Sequence, residues 1–276
     1  MSHGVSTPWS AIVPVKSLPA AKTRLSMPID SGIATAELAV AFLRDVLAAL
    51  AGTPAVAQTL VATSDPVVGH VAEACGALVV DDRGHAGINA AARWSASQAS
   101  VIGPIVVLVS DLPCLTPGAL SRVLGSAADH PVAFVADADG TGTTMWTALD
   151  PRGTESHFGP GSRAAHRRSG AVDLVARVPA DAAGPWLPAR LDVDTAADLA
   201  RARSLGLGPA SAALLSAPEQ PIPVTVLRTA DDDVVAADED GRVRRLPLAW
   251  VHAAGWRDVV PGQRLFVTGD RVEPGS

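Results

Sequence analysis

Short runs rich in Val and Ile alternate with longer Ala- and Leu-rich stretches from Ser10 to about Leu205. The longer stretch at residues 33–50 carries an apolar side chain at every fourth position, which predicts a helix with one apolar face. Such alternation is typical of a mainly parallel sheet covered by helices, so we predict an α/β domain over residues 1–208. The predicted strands are residues 11–15, 59–63, 77–81, 105–109, 133–136 and 190–193.

Two of the predicted helices begin at a proline. Pro66 follows Asp65, and Pro117 follows Thr116. Proline is favoured in the first helical turn, and Asp and Thr are favoured as capping residues. Each of these helices is therefore predicted to start directly after a strand.

Composition narrows the class of protein. The 276 residues are 48% hydrophobic and 18% charged, which is typical of a compact chain and not of a disordered one. The formal net charge of −6 offers no general basic surface for nucleic acid. Two cysteines cannot build a disulfide framework, and no apolar stretch approaches the roughly 20 residues of a membrane span. We therefore expect a cytoplasmic protein that binds neither nucleic acid nor a membrane.

A second unit is predicted beyond the α/β domain. Residues 209–222 are rich in Ala, Ser and Pro, which indicates a linker. Residues 223–276 contain strand-like runs separated by turns such as Asp240-Gly241, which predicts a small all-β module of the OB or barrel type. Its seven arginines are outnumbered by nine acidic residues, which disfavours RNA as a partner. The runs are 224–227, 234–237, 243–246 and 265–268.

Three basic residues follow the first predicted strand within one loop: Lys16, Lys22 and Arg24. Open α/β sheets bind ligands outside the carboxyl ends of their strands, so three cations there favour a polyphosphate. The loop lacks the Gly-x4-Gly-Lys pattern of a P-loop. A solvated basic turn is the alternative interpretation.

Three acidic residues lie at or just after the ends of predicted strands. Asp111 comes after the strand 105–109, and Asp192 and Asp194 lie two residues apart on an extended segment, so they share one face. If the strand ends are neighbours, the three carboxylates converge and can hold Mg²⁺ while leaving positions for water and phosphate. The alternatives are that Asp111 caps a turn and that Asp194 is a turn residue before a capping box at Thr195.

Two Gly-rich turns suggest a site for a small anion. They are Asp-Gly-Thr-Gly-Thr-Thr at 139–144 and Phe-Gly-Pro-Gly-Ser at 158–162. Glycine lets the backbone approach a ligand, and Ser162 at a helix start would aim free N–H groups at an anion beside the following arginines. Ordinary hairpin and helix-cap chemistry is the alternative. The arginines are Arg163, Arg167 and Arg168.

The remaining polar residues give weaker indications. Asn89 can offer its amide to a nucleotide base or ribose, or it can simply start a helix. No nucleophile elbow for Ser/His/Asp catalysis is present in the sequence. The seven histidines have no metal-ligand spacing, and His166 alone lies beside a suspected site, so we interpret them as surface or core residues.

Taken in order, these motifs resemble the family of phosphoenolpyruvate and 2-phospho-L-lactate guanylyltransferases. The likeness covers Ser10 to about Leu205 and rests on the basic loop, Ser-Asp-Leu-Pro, the two Gly-rich turns and Leu-Asp-Val-Asp-Thr. It implies a GT-A-like nucleotidyltransferase fold and transfer of GMP from GTP to a three-carbon phospho acid, in the biosynthesis of the deazaflavin coenzyme F-420. It also implies acceptor-binding residues Thr144, Gly159 and Ser162, and metal-binding residues Asp111, Asp192 and Asp194. Some relatives have Glu as the last acid, so Asp194 has a shorter reach.

The chemistry that the resemblance implies agrees with the residues. A phosphate monoester is largely dianionic near pH 7, so it can attack the α-phosphorus of GTP without a general base. The protein must supply charge neutralisation and alignment, with Mg²⁺ on the acids. We therefore assign catalytic roles to Lys16, Lys22, Arg24 and Asp111, and nucleotide contacts to the same three cations and Asn89.

Several alternatives stay open at this point. Phosphoenolpyruvate is preferred over 2-phospho-L-lactate as acceptor because the Ala-rich composition with Arg over Lys is typical of actinobacterial proteins. A molybdopterin guanylyltransferase or a cytidylyltransferase would share the fold, but the first loop lacks their Gly-x-Gly-Thr-Arg pattern. A third hypothesis is an inactive binding protein whose β module recruits a partner.

Overall fold

The computed structural model describes residues 8–17, 35–83, 87–98, 101, 103–216, 221–230, 232–268 and 271–274. The chain divides into two compact units, with the boundary between them at Leu215 and Ser216. Two residues of the predicted basic loop, Lys22 and Arg24, lie outside the described residues.

The larger unit is a seven-stranded sheet covered by helices. The strand order is β3-β2-β1-β4-β6-β5-β7, in which β6 runs antiparallel to both of its neighbours and the other pairs are parallel. The predicted α/β class is confirmed. The elements are β1 (Trp9–Pro14), α1 (Thr35–Ala51), β2 (Val56–Ala62), α2 (Pro66–Ala74), β3 (Leu78–Val80), α3 (Ile88–Ala96), β4 (Ile105–Leu108), α4 (Pro117–Ala127), β5 (Val132–Ala136), β6 (Thr143–Ala148), α5 (Ser162–Arg168), β7 (Val172–Asp173), α6 (Ala196–Leu205) and α7 (Pro209–Ser216).

The predicted helix starts are observed. The carboxylate of Asp65 accepts hydrogen bonds from the N–H groups of Val67 and Val68, and the Thr116 hydroxyl accepts one from Ala119. The capping box at Thr195 is also formed, with Asp198 as its second member. On α1, the apolar side chains at four-residue spacing are fully buried against the sheet: Leu38, Phe42, Val46 and Leu50. Local sequence chemistry therefore sets where these helices begin and which face they bury.

The predicted strand at 190–193 is wrong. Its residues follow a 3₁₀ helix at Gly184–Ala189 and form no ladder with another strand. Leu191 and Val193 are both buried, so the alternating pattern is real, but it reflects an extended segment packed on the core. The backbone N–H of Val193 is used outside the sheet, in a hydrogen bond to the carbonyl of Asp111.

The strand β6 was not predicted from the sequence. Its residues, Thr-Thr-Met-Trp-Thr-Ala, lack the Val and Ile content of the other strands, although all six are buried. It is inserted between β4 and β5, with Trp146 opposite Val107 on one side and Phe134 on the other. Because β6 is antiparallel, its amino end lies at the same edge of the sheet as the carboxyl ends of β1, β4 and β5.

The smaller unit is an antiparallel five-stranded sheet in the order β10-β9-β8-β11-β12. The four predicted strands are present, and α8 and the short β12 were not predicted. In the described residues, β10 and β12 form the two edges of this sheet. The predicted linker 209–222 contains α7. The elements are β8 (Ile222–Thr229), β9 (Asp233–Asp238), β10 (Val243–Pro247), α8 (Leu248–Ala253), β11 (Arg264–Thr268) and β12 (Arg271–Val272).

Candidate active site

Acidic side chains from separate parts of the chain meet where β4 ends. Asp111 follows β4, and a later extended segment passes beside it because the N–H of Val193 donates to the Asp111 carbonyl at 3.0 Å. Burial raises the pKa of Asp192 to about 7, and the charge of Asp111 adds to the rise, followed by the charges of Asp194 and Asp137. Asp192 therefore lies within electrostatic reach of Asp111, Asp194 and Asp137, and these four acids at one edge of the sheet are called the acidic cluster.

The oxygen donors of Asp111 and Asp192 suit a magnesium ion by their chemistry. Crowded carboxylates favour a bound cation because it relieves their repulsion, and oxygen donors suit Mg²⁺. In the part of the chain that the structure describes, no group of three or more His, Cys, Asp or Glu residues is arranged to hold a metal ion. Mg²⁺ commonly uses one or two carboxylates and completes its shell with water and substrate phosphate. The individual ligand roles of Asp111, Asp192 and Asp194 stay predictions.

The basic loop is described only at its beginning. Lys16 is exposed and lies just beyond the end of β1. Because β1 and β4 are parallel neighbours, Lys16 lies at the same edge of the sheet as Asp111. The nucleotide-binding and catalytic roles of Lys16, Lys22 and Arg24 stay predictions.

Asp137 and Arg190 shape the acidic edge, and sequence reasoning missed both. The Asp137 carboxylate accepts hydrogen bonds from the N–H groups of Thr141 at 2.9 Å and Gly142 at 2.7 Å. A Cβ at position 142 would overlap that carboxylate, so the second glycine of the turn is required by its neighbour. The Arg190 guanidinium donates to the carbonyls of Ala136 at 3.0 Å and Asp137 at 2.7 Å. The position of Asp137 directly after β5 was the available signal.

Thr144 has a structural role in addition to the predicted one. Its side chain is fully buried, and its hydroxyl donates to the carbonyl of Ala189 at 2.7 Å. Its own carbonyl accepts from the N–H of Val109, next to the strand that leads to Asp111. Thr144 therefore ties β6 to the turn before the acidic segment. To contact the acceptor substrate through its side chain, Thr144 would have to give up the hydrogen bond from its hydroxyl to Ala189. The role of Thr144 in binding the acceptor substrate stays a prediction.

The second Gly-rich turn is built as a tight helix entry. Gly159 has φ +135° and Gly161 has φ +69°, in the left-handed region that favours glycine. The expectation of free N–H groups at the start of α5 is wrong. The N–H of Ser162 donates to the Gly159 carbonyl, and the next two N–H groups donate to the carbonyls of Thr141 and Gly161. The short helix consequently offers no unpaired first-turn amides, and the acceptor roles of Gly159 and Ser162 stay predictions.

Arginines connect and border the two Gly-rich turns. Arg163 donates to the carboxylate of Asp173 at 2.8 Å and to the carbonyl of Gly140 at 3.0 Å, so its charge is partly neutralised within the protein. Arg167 and Arg168 are exposed. All three arginines line an open depression of about 630 Å³ to which both turns contribute. Exposed arginines in such a depression can attract a small anion.

His166 is a buried support for both turns. Its Nε2 accepts from the N–H of His157 at 2.8 Å, so the ring proton is assigned to Nδ1, which lies 3.1 Å from the Thr143 hydroxyl. The ring stacks on Phe134 with centroids 5.2 Å apart. Burial lowers the pKa of His166 to about 4, and the nearby His157 adds to this shift. Its interpretation as a core residue is therefore supported, and a catalytic proton transfer is not required of it.

Acid should destabilise the larger unit through His166. A histidine with a lowered pKa contributes stability above about pH 6.5, and this contribution is lost as the pH falls towards 4. The loss amounts to about 3 kcal/mol of unfolding free energy. Urea unfolding at pH 7, 5.5 and 4.5 should show a flatter pH dependence for His166→Gln than for the wild type, although the variant is less stable at pH 7. His70→Gln, at an exposed position on α2, is the matched control, and an equally flat profile for it would contradict the assignment.

Asn89 contacts the second Gly-rich turn. Its Nδ2 donates to the carbonyl of Phe158 at 2.9 Å, and its Oδ1 accepts from the N–H of Phe158 at 2.7 Å and from the hydroxyl of Ser156 at 3.0 Å. All of these bonds are made within the protein, and the predicted contact of Asn89 to a base or ribose stays a prediction. Asn89 fastens α3 to a segment about 70 residues later in the chain, a partner that local sequence cannot reveal.

These features define a class of protein. A mainly parallel sheet with one inserted antiparallel strand carries an acidic cluster, a basic residue and two Gly-rich turns at one edge. This is the arrangement of a nucleotidyltransferase with a GT-A-like fold. A solved protein from Desulfovibrio desulfuricans, provisionally described as a nucleotide-diphospho-sugar transferase, has this fold with a TM-score of 0.53 and 17% identity, over 75% of this chain and 96% of that one.

Residues 9–201 match the family model described as "Guanylyl transferase CofC like", and the chain belongs to this family. A phosphoenolpyruvate guanylyltransferase of Streptomyces scabiei is 44% identical over 74% of this chain and 94% of its own length. One of Geodermatophilus obscurus is 40% identical over 77% of this chain and 96% of its own. The chain is therefore a guanylyltransferase, which decides against the inactive binding protein and the cytidylyltransferase considered above.

Among the helices of the described residues, none combines the length and the apolar character that crossing a bilayer requires.

Proposed function

We propose that the protein transfers GMP from GTP to phosphoenolpyruvate, giving enolpyruvyl-diphosphoguanosine and pyrophosphate in the biosynthesis of coenzyme F-420. The observation that carries the proposal is the acidic cluster of Asp111 and Asp192 at the sheet edge that also bears Lys16. The names of the relatives support the choice of phosphoenolpyruvate. GTP is the donor that a guanylyltransferase of this kind requires.

In this reaction the protein aligns two polyanions and needs no nucleophile of its own. The acceptor phosphate is the nucleophile, and its second pKa of about 6 leaves it largely dianionic at neutral pH. An oxygen of that phosphate forms a bond to the α-phosphorus of GTP while the bond to the β-phosphate oxygen breaks, and pyrophosphate leaves. Mg²⁺, when bound, supplies charge neutralisation at the phosphates.

The proposed roles follow the positions of the side chains. Asp111 and Asp192 hold the ion, with Asp194 as an exposed third acid. Lys16, together with Lys22 and Arg24, neutralises the triphosphate. We place the acceptor beside the two Gly-rich turns, where three arginines line a depression. Thr144, Gly159 and Ser162 remain its proposed binding residues from the family resemblance, although none of the three lines that depression.

A turnover assay with three acids tests the proposal. The purified protein is mixed with GTP, Mg²⁺ and phosphoenolpyruvate, 2-phospho-L-lactate or 3-phosphoglycerate, and pyrophosphate release is followed with mass identification of the nucleotide product. We expect release with phosphoenolpyruvate above the other two. Turnover of 2-phospho-L-lactate alone would overturn the acceptor assignment, and silence with every acid would overturn the proposed function.

Asn89→Ala should affect the acceptor more than GTP. The substitution removes two bonds to Phe158 in the second Gly-rich turn and one to Ser156 just before it, so we expect the KM for the acid to rise by roughly 10-fold while the KM for GTP stays within about two-fold. Gln98→Ala, which removes a side-chain bond made just beyond the end of α3, is the control. A rise in the KM for GTP alone would instead support the direct contact between Asn89 and the nucleotide that the sequence predicts.

Catalysis should survive removal of the smaller unit. Three quarters of this chain span almost the whole length of the curated relatives, so the reaction needs no counterpart of the remainder. A chain ending at Gln220 retains α7 and should keep kcat and both KM values within about two-fold of the full chain, in the same pyrophosphate assay. Loss of turnover in a truncated protein with an intact thermal transition would contradict this prediction.

A further inference from the structure

A buried carboxylate on α1 binds the start of α7. Asp45 is almost completely buried, and its two oxygens accept hydrogen bonds from the N–H groups of Ala210 at 2.8 Å and Ser211 at 2.9 Å. These are first-turn amides of α7, which have no partners within their own helix. A carboxylate in an apolar interior is costly unless such donors satisfy it. The buried carboxylate of Asp45 is therefore explained by its hydrogen bonds to the first turn of α7.

The residue before α7 is fitted closely into the same contact. A Cβ at position 208 would overlap the Asp45 carboxylate, so glycine is required there. The N–H of Gly208 donates to the carbonyl of Pro113 at 2.6 Å. Through this bond, the start of α7 is attached to the loop that follows β4.

That loop carries Asp111. Two residues separate Asp111 from Cys114, whose thiol donates to the carbonyl of Ala202 on α6 at 3.4 Å. Burial, with an added contribution from the charge of Asp45, raises the pKa of Cys114 to about 11, so the thiol keeps its proton for this bond. On the other side, the Asp111 carbonyl accepts from Val193. The loop is thus held by the segment with the other acids and by the segment leading into α7.

We propose that Asp45 and residues 208–211, here called the bracket, position the Asp111 loop for metal binding. Asp45 is then a positioning residue for the reaction, a role that rests on the proposed function. The bracket residues after Asp45 lie beyond the matched family region at 9–201, so the working part of the guanylyltransferase extends into α7. Mispositioning of a metal ligand by a supporting residue typically costs 10- to 100-fold in metal affinity or activity.

The test uses three full-length variants. Asp45→Asn removes the charge and one acceptor, and Gly208→Ala keeps the carboxylate but displaces it. Val46→Ala, one residue from Asp45, shortens a fully buried side chain without touching the bracket and serves as the matched stability control. The readouts are Mn²⁺ affinity by electron paramagnetic resonance without substrates, hydrogen exchange of residues 111–115, and kcat with both KM values.

We expect Asp45→Asn and Gly208→Ala to weaken Mn²⁺ binding by about 10-fold or more and to speed exchange in residues 111–115, with kcat reduced. Val46→Ala should lower the melting temperature and leave Mn²⁺ affinity unchanged. Wild-type Mn²⁺ affinity in both bracket variants, or no Mn²⁺ binding by the wild type, would overturn the proposal. If Asp45→Asn does not fold, the Mn²⁺ affinity of Gly208→Ala tests the proposal by itself. Failure of the wild type to use any acid would overturn the proposed function. The Mn²⁺ and hydrogen-exchange measurements would still test whether the bracket positions the Asp111 loop.

Discussion

Asp111→Asn is expected to lower kcat by on the order of 100-fold or more, with the fold intact. A metal ion contributes several kcal/mol of charge stabilisation in the transition state, and an uncharged amide holds it poorly. The fold should persist because the hydrogen bond from Val193 is made to the main-chain carbonyl of Asp111, which the substitution leaves in place. Pyrophosphate release at saturating GTP and acid measures the effect, and a melting curve checks the fold.

Asp139→Asn is the matched control for this experiment. Asp139 is exposed in the neighbouring Gly-rich turn and pairs with Arg201 at 3.1 Å, an ion pair of the solvent-exposed kind that contributes little to stability. It undergoes the same chemical change within the same edge of the sheet, and its turnover should remain within about two-fold of the wild type. Equal turnover by Asp111→Asn and Asp139→Asn would contradict the assignment of Asp111 as a metal ligand.

The parts of the fold that sequence predicts are those determined locally. Proline after a capping residue places the starts of α2 and α4, and the four-residue apolar spacing identifies the buried face of α1. The strands that were recognised have Val- and Ile-rich runs, which a fully buried strand favours. Where burial arises from tertiary neighbours, the same reasoning fails. β6 is fully buried with three threonines, and the alternating pattern at 190–193 belongs to an extended segment without a ladder.

The residues of the candidate site also fall into those that the sequence predicts and those that depend on tertiary contacts. Asp111 was recognised because it follows the carboxyl end of a parallel strand. Asp192 does lie close enough to interact with it, although the strand predicted around Asp192 does not form. Side-chain partners were not predictable. The bonds of Asn89 to Phe158 and of Asp45 to Ala210 join residues that are 69 and 165 positions apart. The sequence predicts which edge of the sheet carries the chemistry, and the folded chain decides which of its polar groups are free to take part.

Asp192→Asn is expected to stabilise the metal-free protein at pH 8 and to inactivate it. The pKa of Asp192 is raised from the ordinary value of 3.8 to about 7, so the folded state favours its protonated form. The resulting stability is fully present below about pH 3.8 and is lost as the pH rises through 7. At pH 8 the carboxylate of Asp192 is ionised although burial disfavours its charge, and it is also repelled by Asp111. A neutral amide removes this repulsion, while the loss of a metal ligand should lower kcat by roughly 100-fold.

Melting curves in EDTA at pH 5 and pH 8 measure the stability part of this prediction. We expect Asp192→Asn to melt about 3 °C or more above the wild type at pH 8 and above it by a clearly smaller margin at pH 5, because the stability of the wild type is only partly lost between pH 3.8 and pH 5. Mg²⁺ should raise the melting temperature of the wild type more at pH 8 than at pH 6, because protons compete with the metal for Asp192. The same Mg²⁺ shift should be lost in the variant. Asp198→Asn, in the capping box of α6, is the control of opposite sign and should melt lower at pH 8. If Asp192→Asn melts below the wild type in EDTA at pH 8, the wild-type carboxylate of Asp192 stabilises the fold. That result would contradict the claim that the acids at this edge repel one another when no metal ion is bound.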